Sequence, residues 1–596
     1  MLFFFHSSSR SHSHLFLFLR LLSSFPCPSS PSPPKLKNIC YRHRSRALAD
    51  ARFALTDYLH STRSLPFSHA ELIASHSPFS LSLLVSQIPF DPSLPLSDFP
   101  RALRRFLSYR PINEYDFFFE SIGLSPSSLS TSATTSTSTS TSTPSSSSLF
   151  LDPHLLAAVS ALVHFGFPWA HLGLLYRGDP AVFRADPDRL LTRLRALESR
   201  GLHRACAIAV CLAFPAALVR DADLNSDLDL LLGDITCFFA EFDLKGNNVD
   251  AFLQLCQKIR VLYDTGAEVG TMGELMVRNK KIFLKIEKSA LAQKLGFFAR
   301  LGMKREEVGR FLLQNPEILE LDLDNPSISM PGYLRHIGLG LDEVAEIAWR
   351  YPYVMGKNKL GNLPGSLRAV GLAEWFLCKI VDGNYHLLYA DFVSSTSHDE
   401  KIESEFLLGM EKARIDKKEP FVDNKLEFLL GIGFGKNKIT SRAVALVNST
   451  RYQLQERFDS LLEIGIGYPT LCRMISATPK LLNQSKEMIQ EKVYYLCNDL
   501  GYSLEYLDSF PAYLCFDLEN RIKPRYRILN WLQEHGLLKK PFAPATVLAN
   551  SEKRFMVNLY NAHPAAPKQW LECFSSRSHR DHYHKNLFTS RPENHC

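Results

Sequence analysis

The residues best suited to chemistry form a short basic cluster near the end of the chain. It consists of Arg521, Lys523, Arg525 and Arg527, which surround Pro524. Several cations in so short a stretch can contact neighbouring phosphates of one nucleic-acid backbone. Each such contact would make binding depend on salt, because it releases condensed counterions. A solvated charged surface without a ligand is the alternative interpretation of the same residues.

A second set of basic residues recurs where successive helices are predicted to begin. In the later part of the chain it comprises Lys436, Lys438, Arg442, Arg451, Arg473 and Lys480. An earlier helix start carries Lys304, Arg305 and Arg310. Matching positions in successive repeats would line one side of a repeat array with positive charge. The segment from Lys425 to Lys540 holds 16 basic and 12 acidic residues, so we predict that this part binds a polyanion.

Acidic residues occupy some of the same helix starts. They are Glu306, Glu307, Asp342, Glu343 and Glu346. Acids in the first turn stabilise a helix through its dipole. In that stretch they would weaken any binding of a polyanion.

The sequence contains no recognisable catalytic or metal-binding set. There is no H-E-x-x-H motif and no arrangement of a nucleophile with His and an acid. His579, His582 and His584 have metal-like spacing, but only Asp581 accompanies them as a further ligand type. We therefore predict neither catalytic residues nor a metal or cofactor.

A sequence motif of nearly constant length repeats along the chain. In each copy an apolar helical run ends in Gly, and a second apolar run then ends in Pro between large apolar residues. The glycines are Gly302, Gly338, Gly371, Gly433, Gly465, Gly501 and Gly536, at steps of 36, 33, 62, 32, 36 and 35. The prolines in register are Pro316, Pro352, Pro479 and Pro511, with weaker copies at Gly166, Gly201, Pro180 and Pro215. A period of this length predicts stacked helical repeats.

One copy of the motif shows why its sequence folds into helices. Leu291, Leu295 and Phe298 lie at i, i+4 and i+7, on one face of a helix. Gly302 follows where a left-handed C-cap is needed, and Pro316 cannot continue the second helix. A single helix pair cannot bury its apolar face alone, so the units must stack. We predict an all-α superhelical solenoid, of either hand, whose repeats have two helices and a short Pro-containing turn or 3-10 helix.

The segments of the chain follow from composition and period. We predict a transit peptide at 1–49, a helical segment at 50–124, a Ser/Thr-rich linker at 125–148, degenerate repeats at 149–280, the main array at 285–540 and a tail at 541–596. The linker should be flexible because it has no apolar side chains to bury. An irregular insertion at 382–423 contains the polar stretch Ser394–Glu405, which we predict to be a loop.

The first 49 residues have the composition of a targeting signal. They contain no Asp or Glu and carry seven Lys or Arg residues among many Ser and Pro. This composition is typical of an organellar transit peptide, and we predict the mitochondrion, with the chloroplast as the alternative. The 12 cysteines are scattered without a C-x-x-C pair, as expected of reduced, buried thiols. No apolar run is long enough to span a bilayer, so we predict no membrane association.

Four segments carry a resemblance to a known family. They are FLLQNPEIL (Phe311–Leu319), ISATPKLL (Ile475–Leu482), FPAYL (Phe510–Leu514) and LENRIKPRYRIL (Leu518–Leu529). With these segments the chain resembles the mitochondrial transcription termination factor (mTERF) family over about Lys285–Lys540, and more weakly back to Leu155. The resemblance implies a curved, all-α superhelix of three-helix repeats that holds nucleic acid, mostly duplex DNA, along a basic groove. It also implies a role in organelle gene expression.

The residues and the resemblance together predict an organellar nucleic-acid-binding protein that regulates or terminates transcription on duplex DNA. One alternative is an α-solenoid scaffold that binds proteins, for which the weak first repeats and the modest charge of +7 argue. Another is an RNA-binding factor in organellar RNA processing or ribosome assembly. We expect a monomer, with the organellar gene-expression machinery as a further partner. The disrupted unit between Gly371 and Gly433 leaves the continuity of the groove open.

Overall fold

The structure is a computed structural model that describes residues 36, 39, 41–88, 98–110, 112–124, 149, 152–219, 226–240, 248–389, 397–416, 419–538 and 544–574. The predicted Ser/Thr linker, the His579–His584 stretch and most of the predicted transit peptide lie outside these residues. The chain divides into two compact units. In the described part, the N-terminal unit holds the residues up to 295 and 304–320, and the C-terminal unit holds 296–303 and the residues from 321 onwards.

The described residues are almost entirely helical, which confirms the predicted all-α class. Up to residue 320 the α-helices are α1 (Tyr41–Asp57), α2 (Phe67–Ser75), α3 (Pro78–Ser86), α4 (Asp98–Tyr109), α5 (Glu114–Ser121), α6 (Pro153–Phe165), α7 (Leu172–Gly178), α8 (Pro187–Ser199), α9 (Arg204–Ala213), α10 (Ala216–Val219), α11 (Ser226–Ala240), α12 (Val249–Asp264), α13 (Gly273–Arg278), α14 (Lys280–Lys285), α15 (Lys288–Leu301), α16 (Arg305–Gln314) and α17 (Pro316–Glu320).

The α-helices continue through the C-terminal unit with the same alternation of long and short elements. They are α18 (Met330–His336), α19 (Leu341–Arg350), α20 (Leu363–Val370), α21 (Ala373–Val381), α22 (Ser397–Asp416), α23 (Glu419–Gly431), α24 (Lys438–Leu446), α25 (Arg451–Glu463), α26 (Tyr468–Ala477), α27 (Lys486–Tyr494), α28 (Tyr506–Ser509), α29 (Lys523–Glu534), α30 (Pro544–Ala549), α31 (Glu552–Ala562) and α32 (Ala566–Gln569).

Short irregular helices and one strand pair complete the described structure. The 3-10 helices are Trp169–His171, Pro180–Arg184, Pro352–Val354, Leu360–Asn362, Tyr385–Leu388, Pro479–Asn483 and Pro511–Cys515. The π-helical turns are Tyr58–Thr62, Tyr495–Asp499, Leu518–Ile522 and Trp570–Phe574. Strands β1 (Ser327–Ser329) and β2 (Lys357–Lys359) pair antiparallel, with Ile328 opposite Asn358.

The predicted Gly and Pro punctuation is confirmed. All nine glycines of the period have a positive φ, between 65° and 118°. Gly166 shows why: its N–H caps the end of α6 by donating to the Leu162 and Val163 oxygens, in a left-handed conformation that glycine adopts at little cost. Pro352, Pro479 and Pro511 each begin a 3-10 helix, and Pro316 begins α17.

In neighbouring repeats of the C-terminal unit, each helix packs on the corresponding helix of the next repeat. Helix α25 packs on α27, α26 packs on α28, and the 3-10 helix Pro479–Asn483 packs on Pro511–Cys515. Leu471 and Ile475 of α26 and Leu481 after Pro479 are fully buried. This arrangement buries one continuous apolar layer, as the solenoid prediction requires.

The prediction of a loop within the insertion was wrong. Helix α22 covers Ser397–Asp416 and therefore most of the polar stretch that begins at Ser394. Its second half buries Phe406, Met410 and Ala413, which lie at i, i+4 and i+7, and the helix packs on α24. The polar residues before Phe406 belong to the same helix, which the apolar stripe of its second half holds in place.

The first helix crosses the predicted end of the transit peptide. Helix α1 begins at Tyr41 and buries Ala47, Ala51 and Leu55 against α2 and α4. The boundary at residue 49 would therefore cut a packed helix. Among the described helices, none has both the length and the apolar character needed to cross a membrane.

Candidate nucleic-acid interface

The structure removes Arg525 from the predicted binding surface. Its side chain is only 3% exposed. The guanidinium donates to the main-chain oxygens of Val547 (2.7 Å) and Asn550 (2.8 Å) and pairs with Glu552 at 2.9 Å. Its Cζ also lies 4.4 Å from the centre of the Phe555 ring. No phosphate can reach a guanidinium enclosed in this way, so Arg525 has a structural role.

Arg521 acts beside Arg525 on the same backbone segment. Its Nε and Nη2 donate to the Leu548 oxygen at 3.0 and 2.6 Å, and Nη2 also donates to the Asn550 oxygen at 3.0 Å. Carbonyl groups at the C-terminal end of α30 have no partners within their own helix. The two arginines supply those partners and hold the segment α30–α31 against the last repeat. We call this pair the arginine clamp.

Three further predicted cations are engaged in ion pairs between or within helices. Arg473 of α26 binds Asp508 of α28 through both of its carboxylate oxygens, with Nε–Oδ1 at 3.0 Å. Arg451 of α25 contacts Glu427 of α23 at 2.6 Å. Lys523 pairs with Glu519 one turn earlier.

The other five of the ten predicted cations have no acidic partner among the described residues. They are Lys436, Lys438, Arg442, Lys480 and Arg527, of which all but the half-buried Lys436 are exposed. Lys438 and Arg442 lie one turn apart on α24, so their side chains share one face. Lys480 follows Pro479 in its 3-10 helix, and Arg527 lies on α29.

The start of α24 is held firmly, which fixes where Lys438 and Arg442 project. The Asn437 side chain accepts from the N–H groups of Ile439 and Thr440, and its Nδ2 donates to the Tyr353 and Met355 oxygens at 2.8 and 2.7 Å. The Lys436 N–H donates to the Lys357 oxygen at 2.9 Å. A rigid element presents charged side chains at lower entropic cost than a loop does.

Sequence reasoning missed a class of cations that donate hydrogen bonds to backbone carbonyl groups within the repeats. Lys258 of α12 donates to the oxygens of Phe283 (3.2 Å) and Leu284 (3.0 Å). Arg457 of α25 donates to the Leu482 oxygen at 2.6 Å, and Lys492 of α27 donates to the Leu514 oxygen at 2.9 Å. In each case a first helix caps carbonyl groups at the end of the short third helix. Burial lowers the pKa of Lys258 and Lys492.

The position of these cations has a sequence signature. Lys258, Lys294, Lys425 and Arg457 all lie eight residues before a glycine of positive φ, namely Gly266, Gly302, Gly433 and Gly465. Lys492 lies nine residues before Gly501, and the π-helical turn Tyr495–Asp499 accommodates the extra residue. Lys294 and Lys425 are also buried. The register of a basic residue relative to Gly would have predicted this structural role.

A second missed feature is an arginine cluster that joins repeats distant in sequence. Arg300, at the end of α15, donates to the Gly361 oxygen at 2.9 Å. The Cζ of Arg368 lies 4.2 Å from the centre of the Tyr468 ring. Burial lowers the pKa of Arg300, and the charges of Arg451 and Arg368 lower it further. Arg451 and Arg368 therefore repel the Arg300 guanidinium, whereas Asp324 attracts it. Asp459 attracts Arg368, and Glu427 pairs with Arg451.

Many of the basic residues between Lys425 and Lys540 are bonded within the fold and are therefore not available to a ligand. Of the 16 basic residues from Lys425 to Lys540, five are buried or bonded to the fold: Lys425, Arg457, Lys492, Arg521 and Arg525. Four are paired with acids: Arg451, Arg473, Lys486 and Lys523. Much of the basic content thus stabilises the repeats. In the described part of the segment, the exposed cations named above are what remains for a ligand.

The described residues contain no group of His, Cys, Asp and Glu that could hold a metal ion. Fold and surface together define an α-helical repeat protein with units of similar length and exposed cations on its C-terminal repeats. A family model described as mTERF matches residues 241–360 and 357–556. The chain belongs to the mTERF family.

Curated relatives agree with this assignment. The chain is 42% identical over 550 residues to "Transcription termination factor MTEF18, mitochondrial" of Arabidopsis thaliana, covering 92% of this chain and 96% of the relative. It is 24% identical over 389 residues to "Transcription termination factor MTERF8, chloroplastic" of the same plant, covering 61% of this chain and 75% of the relative. It is 22% identical over 302 residues to "Transcription termination factor MTERF15, mitochondrial", covering 51% and 54%.

Proposed function

We propose that this protein binds nucleic acid in an organelle and regulates or terminates transcription there, with duplex DNA as its preferred ligand. The observation that carries the proposal is the 42% identity, over 92% of the chain, to a relative named as a mitochondrial transcription termination factor. A stacked helical array with exposed cations on its later repeats supports it, since phosphate contacts supply most of the affinity in nucleic-acid binding.

The contact surface in this proposal is smaller than the sequence predicted. It consists of the exposed residues Lys438, Arg442, Lys480 and Arg527, with the half-buried Lys436 beside them. Arg521 and Arg525 are excluded because their guanidinium groups already bond to backbone carbonyls. Arg451, Arg473 and Lys523 are each paired with a carboxylate, which partly neutralises their charge and weakens their attraction for phosphate.

The mitochondrion is the proposed compartment, with the chloroplast as the alternative. The acid-free leader and the names of two mitochondrial relatives support it. The leader should end before Tyr41, because α1 begins there and packs its apolar face. A fluorescent protein fused after residue 40 should enter mitochondria, and replacement of the basic residues in 1–40 by Gln should abolish import. Import into plastids, or a cytosolic fusion protein, would contradict the assignment.

A salt titration of binding to duplex DNA tests the function. The wild-type chain should lose affinity linearly on a log–log plot against salt concentration. K438A/R442A should reduce the magnitude of the slope by up to about 1.8, since each phosphate contact contributes about 0.9. The matched control is K553A/R554A, which removes two exposed cations from α31 of the same unit. Absence of binding at low salt, or equal slopes for both variants, would refute this surface.

The choice between DNA and RNA needs a separate competition. Single-stranded RNA of equal length should displace a labelled duplex only at a large excess if duplex DNA is the ligand. Displacement at equal concentration would instead support RNA metabolism as the function. Both outcomes are measured on the same full-length protein at one salt concentration, because affinities at different salt cannot be compared.

A further inference from the structure

Helix α19 is packed differently from the second helices of later repeats. Helices α24 and α26 each bury four residues in the core. Helix α19 buries only Val344 of its ten residues. It packs on α18 and on the 3-10 helix Pro352–Val354. Most of its surface is therefore open to solvent.

The open surface of α19 is apolar along one stripe. Leu341, Ala345 and Trp349 lie at i, i+4 and i+8, which places them on one face of the helix. Leu341 is 70% exposed and Trp349 is 84% exposed. Trp is among the residues enriched in the dominant contacts of protein interfaces, so an exposed Trp on the same helix face as an exposed Leu is a candidate contact surface.

An acidic stripe lies directly beside the apolar one. Asp342 and Glu346 are exposed and one turn apart, on the side of the helix next to Trp349. Glu343 differs from them because its Oε2 accepts the Gly340 N–H at 2.7 Å and so caps the helix start. The face that α19 presents is therefore a narrow apolar ridge with a negative border formed by Asp342 and Glu346 on one side. The exposed Arg350 follows Glu346 one turn later, at the C-terminal end of the helix.

We propose that this face docks an amphipathic helix of a partner protein, one whose apolar side is bordered by Lys or Arg. The negative border favours a cationic partner, because complementary charge steers association and penalises partners of like sign. The same border disfavours nucleic acid, although Trp349 could stack on a base. The apolar ridge supplies the buried contact, because the apolar side of the partner helix would pack directly on it.

Photo-crosslinking identifies the occupant. Trp349→p-benzoylphenylalanine is introduced into the full chain in cells that express it, with Tyr494→p-benzoylphenylalanine on α27 as a control of similar exposure (Tyr494 is 63% exposed). The proposal expects an adduct at 349 that is missing at 494, joined to a cationic amphipathic helix of another protein. An adduct with nucleic acid or with a second copy of this chain, or no adduct beyond the control, would overturn it.

A binding assay completes the test with the crosslinked helix as a synthetic peptide. The purified full-length protein should bind it, and W349A should weaken binding at least tenfold. D342N/E346Q should weaken it less and make it less dependent on salt, whereas Y494A should leave it unchanged. Equal affinity of W349A and wild type would refute the site. Circular dichroism confirms folding, and an unaltered DNA salt slope in W349A keeps this result separate from the proposed function.

Discussion

The Nζ of Lys492 donates to the main-chain oxygen of Leu514, 2.9 Å away, and thereby joins the first helix of a repeat to its short third helix. Lys492 is almost completely buried, and its Nζ also reaches the Gln484 side chain at 3.1 Å. Arg457 and Lys258 make the equivalent contact in other repeats. The carbonyl groups at the end of the short third helix lack partners in their own element, and a buried or half-buried cation supplies one in each case.

Loss of this contact should destabilise the fold. K492M removes the donor and leaves the Leu514 oxygen buried without a partner, so the free energy of unfolding should fall by about 2 kcal/mol. Urea unfolding of the full chain, followed by circular dichroism, measures the change. K480M is the control, because Lys480 is exposed in the neighbouring 3-10 helix and its loss should cost less than about 0.5 kcal/mol. Equal effects of the two variants would show that the buried contact contributes nothing.

The arginine clamp predicts a local effect at the C-terminal end. R525M should release the segment α30–α31, because the Val547 and Asn550 oxygens and Glu552 lose their shared partner. Hydrogen exchange of the amides in residues 544–562 should accelerate, while α25–α27 stay protected. R527M should leave exchange unchanged, since Arg527 is exposed. Uniform acceleration across the C-terminal unit would indicate global unfolding and contradict the local role.

Arg525 and Arg527 should differ in their effects, one on stability and the other on DNA binding. R527A should reduce the magnitude of the DNA salt slope by about 0.9, because it removes one exposed cation that can contact phosphate. R525A should leave the slope of the folded fraction unchanged, since its guanidinium is enclosed. Binding is measured by fluorescence anisotropy at several salt concentrations, well below the temperature at which either variant unfolds. A reduced slope in R525A with a normal slope in R527A would reverse the assignment.

Asp459 predicts a dependence of stability on pH. Burial raises the pKa of its carboxyl group from 3.8 to about 6, although Gln455, Arg368 and Lys486 favour the charged form. The folded protein therefore holds a proton that the unfolded chain has released between about pH 4 and pH 6, and stability from this group falls as pH rises through that window. D459N removes the cost of ionisation. It should gain up to about 3 kcal/mol over wild type at pH 7 and little at pH 4.

The measurement for Asp459 is the difference in unfolding free energy between wild type and D459N at several pH values. D423N is a suitable control, because Asp423 is paired at the surface with Arg414 at 3.1 Å. A difference that stays constant from pH 4 to pH 7 would show that Asp459 titrates normally.

The contact between α22 and α24 can be tested at Gly409. A methyl group at this position would overlap the Ser441 side chain on α24. G409A should therefore destabilise the C-terminal unit by about 1–3 kcal/mol, the usual cost of overpacking. The double variant G409A/S441G should recover most of the loss, because it restores the space. Absence of any coupling in this double-mutant cycle would show that the two helices do not pack as described.

The sequence by itself determined the repeat architecture. The spacing of Gly and Pro predicts where each helix ends, because a left-handed C-cap favours glycine and proline lacks a donor for the next turn. Those two constraints act within a few residues, so they can be read without tertiary information. Gly465 and Pro479 show both in one repeat, with a φ of 106° and the start of a 3-10 helix. The apolar stripes before and after them follow from the same local periodicity.

The tertiary structure alone decided what the ten predicted binding cations do. Arg525 and Arg527 are two residues apart and equally basic, yet one is enclosed by α30–α31 and the other faces solvent. Their difference depends on backbone carbonyls more than 20 residues away, which no local pattern specifies. The prediction of a loop in the insertion was wrong for the same reason. The apolar stripe of α22 packs on α24, and this contact does not show in the polar sequence of the first half of the helix. Apart from the basic residues that stand eight or nine positions before a glycine of positive φ, the cations follow no period, and each acquires its role only when packing gives it a partner.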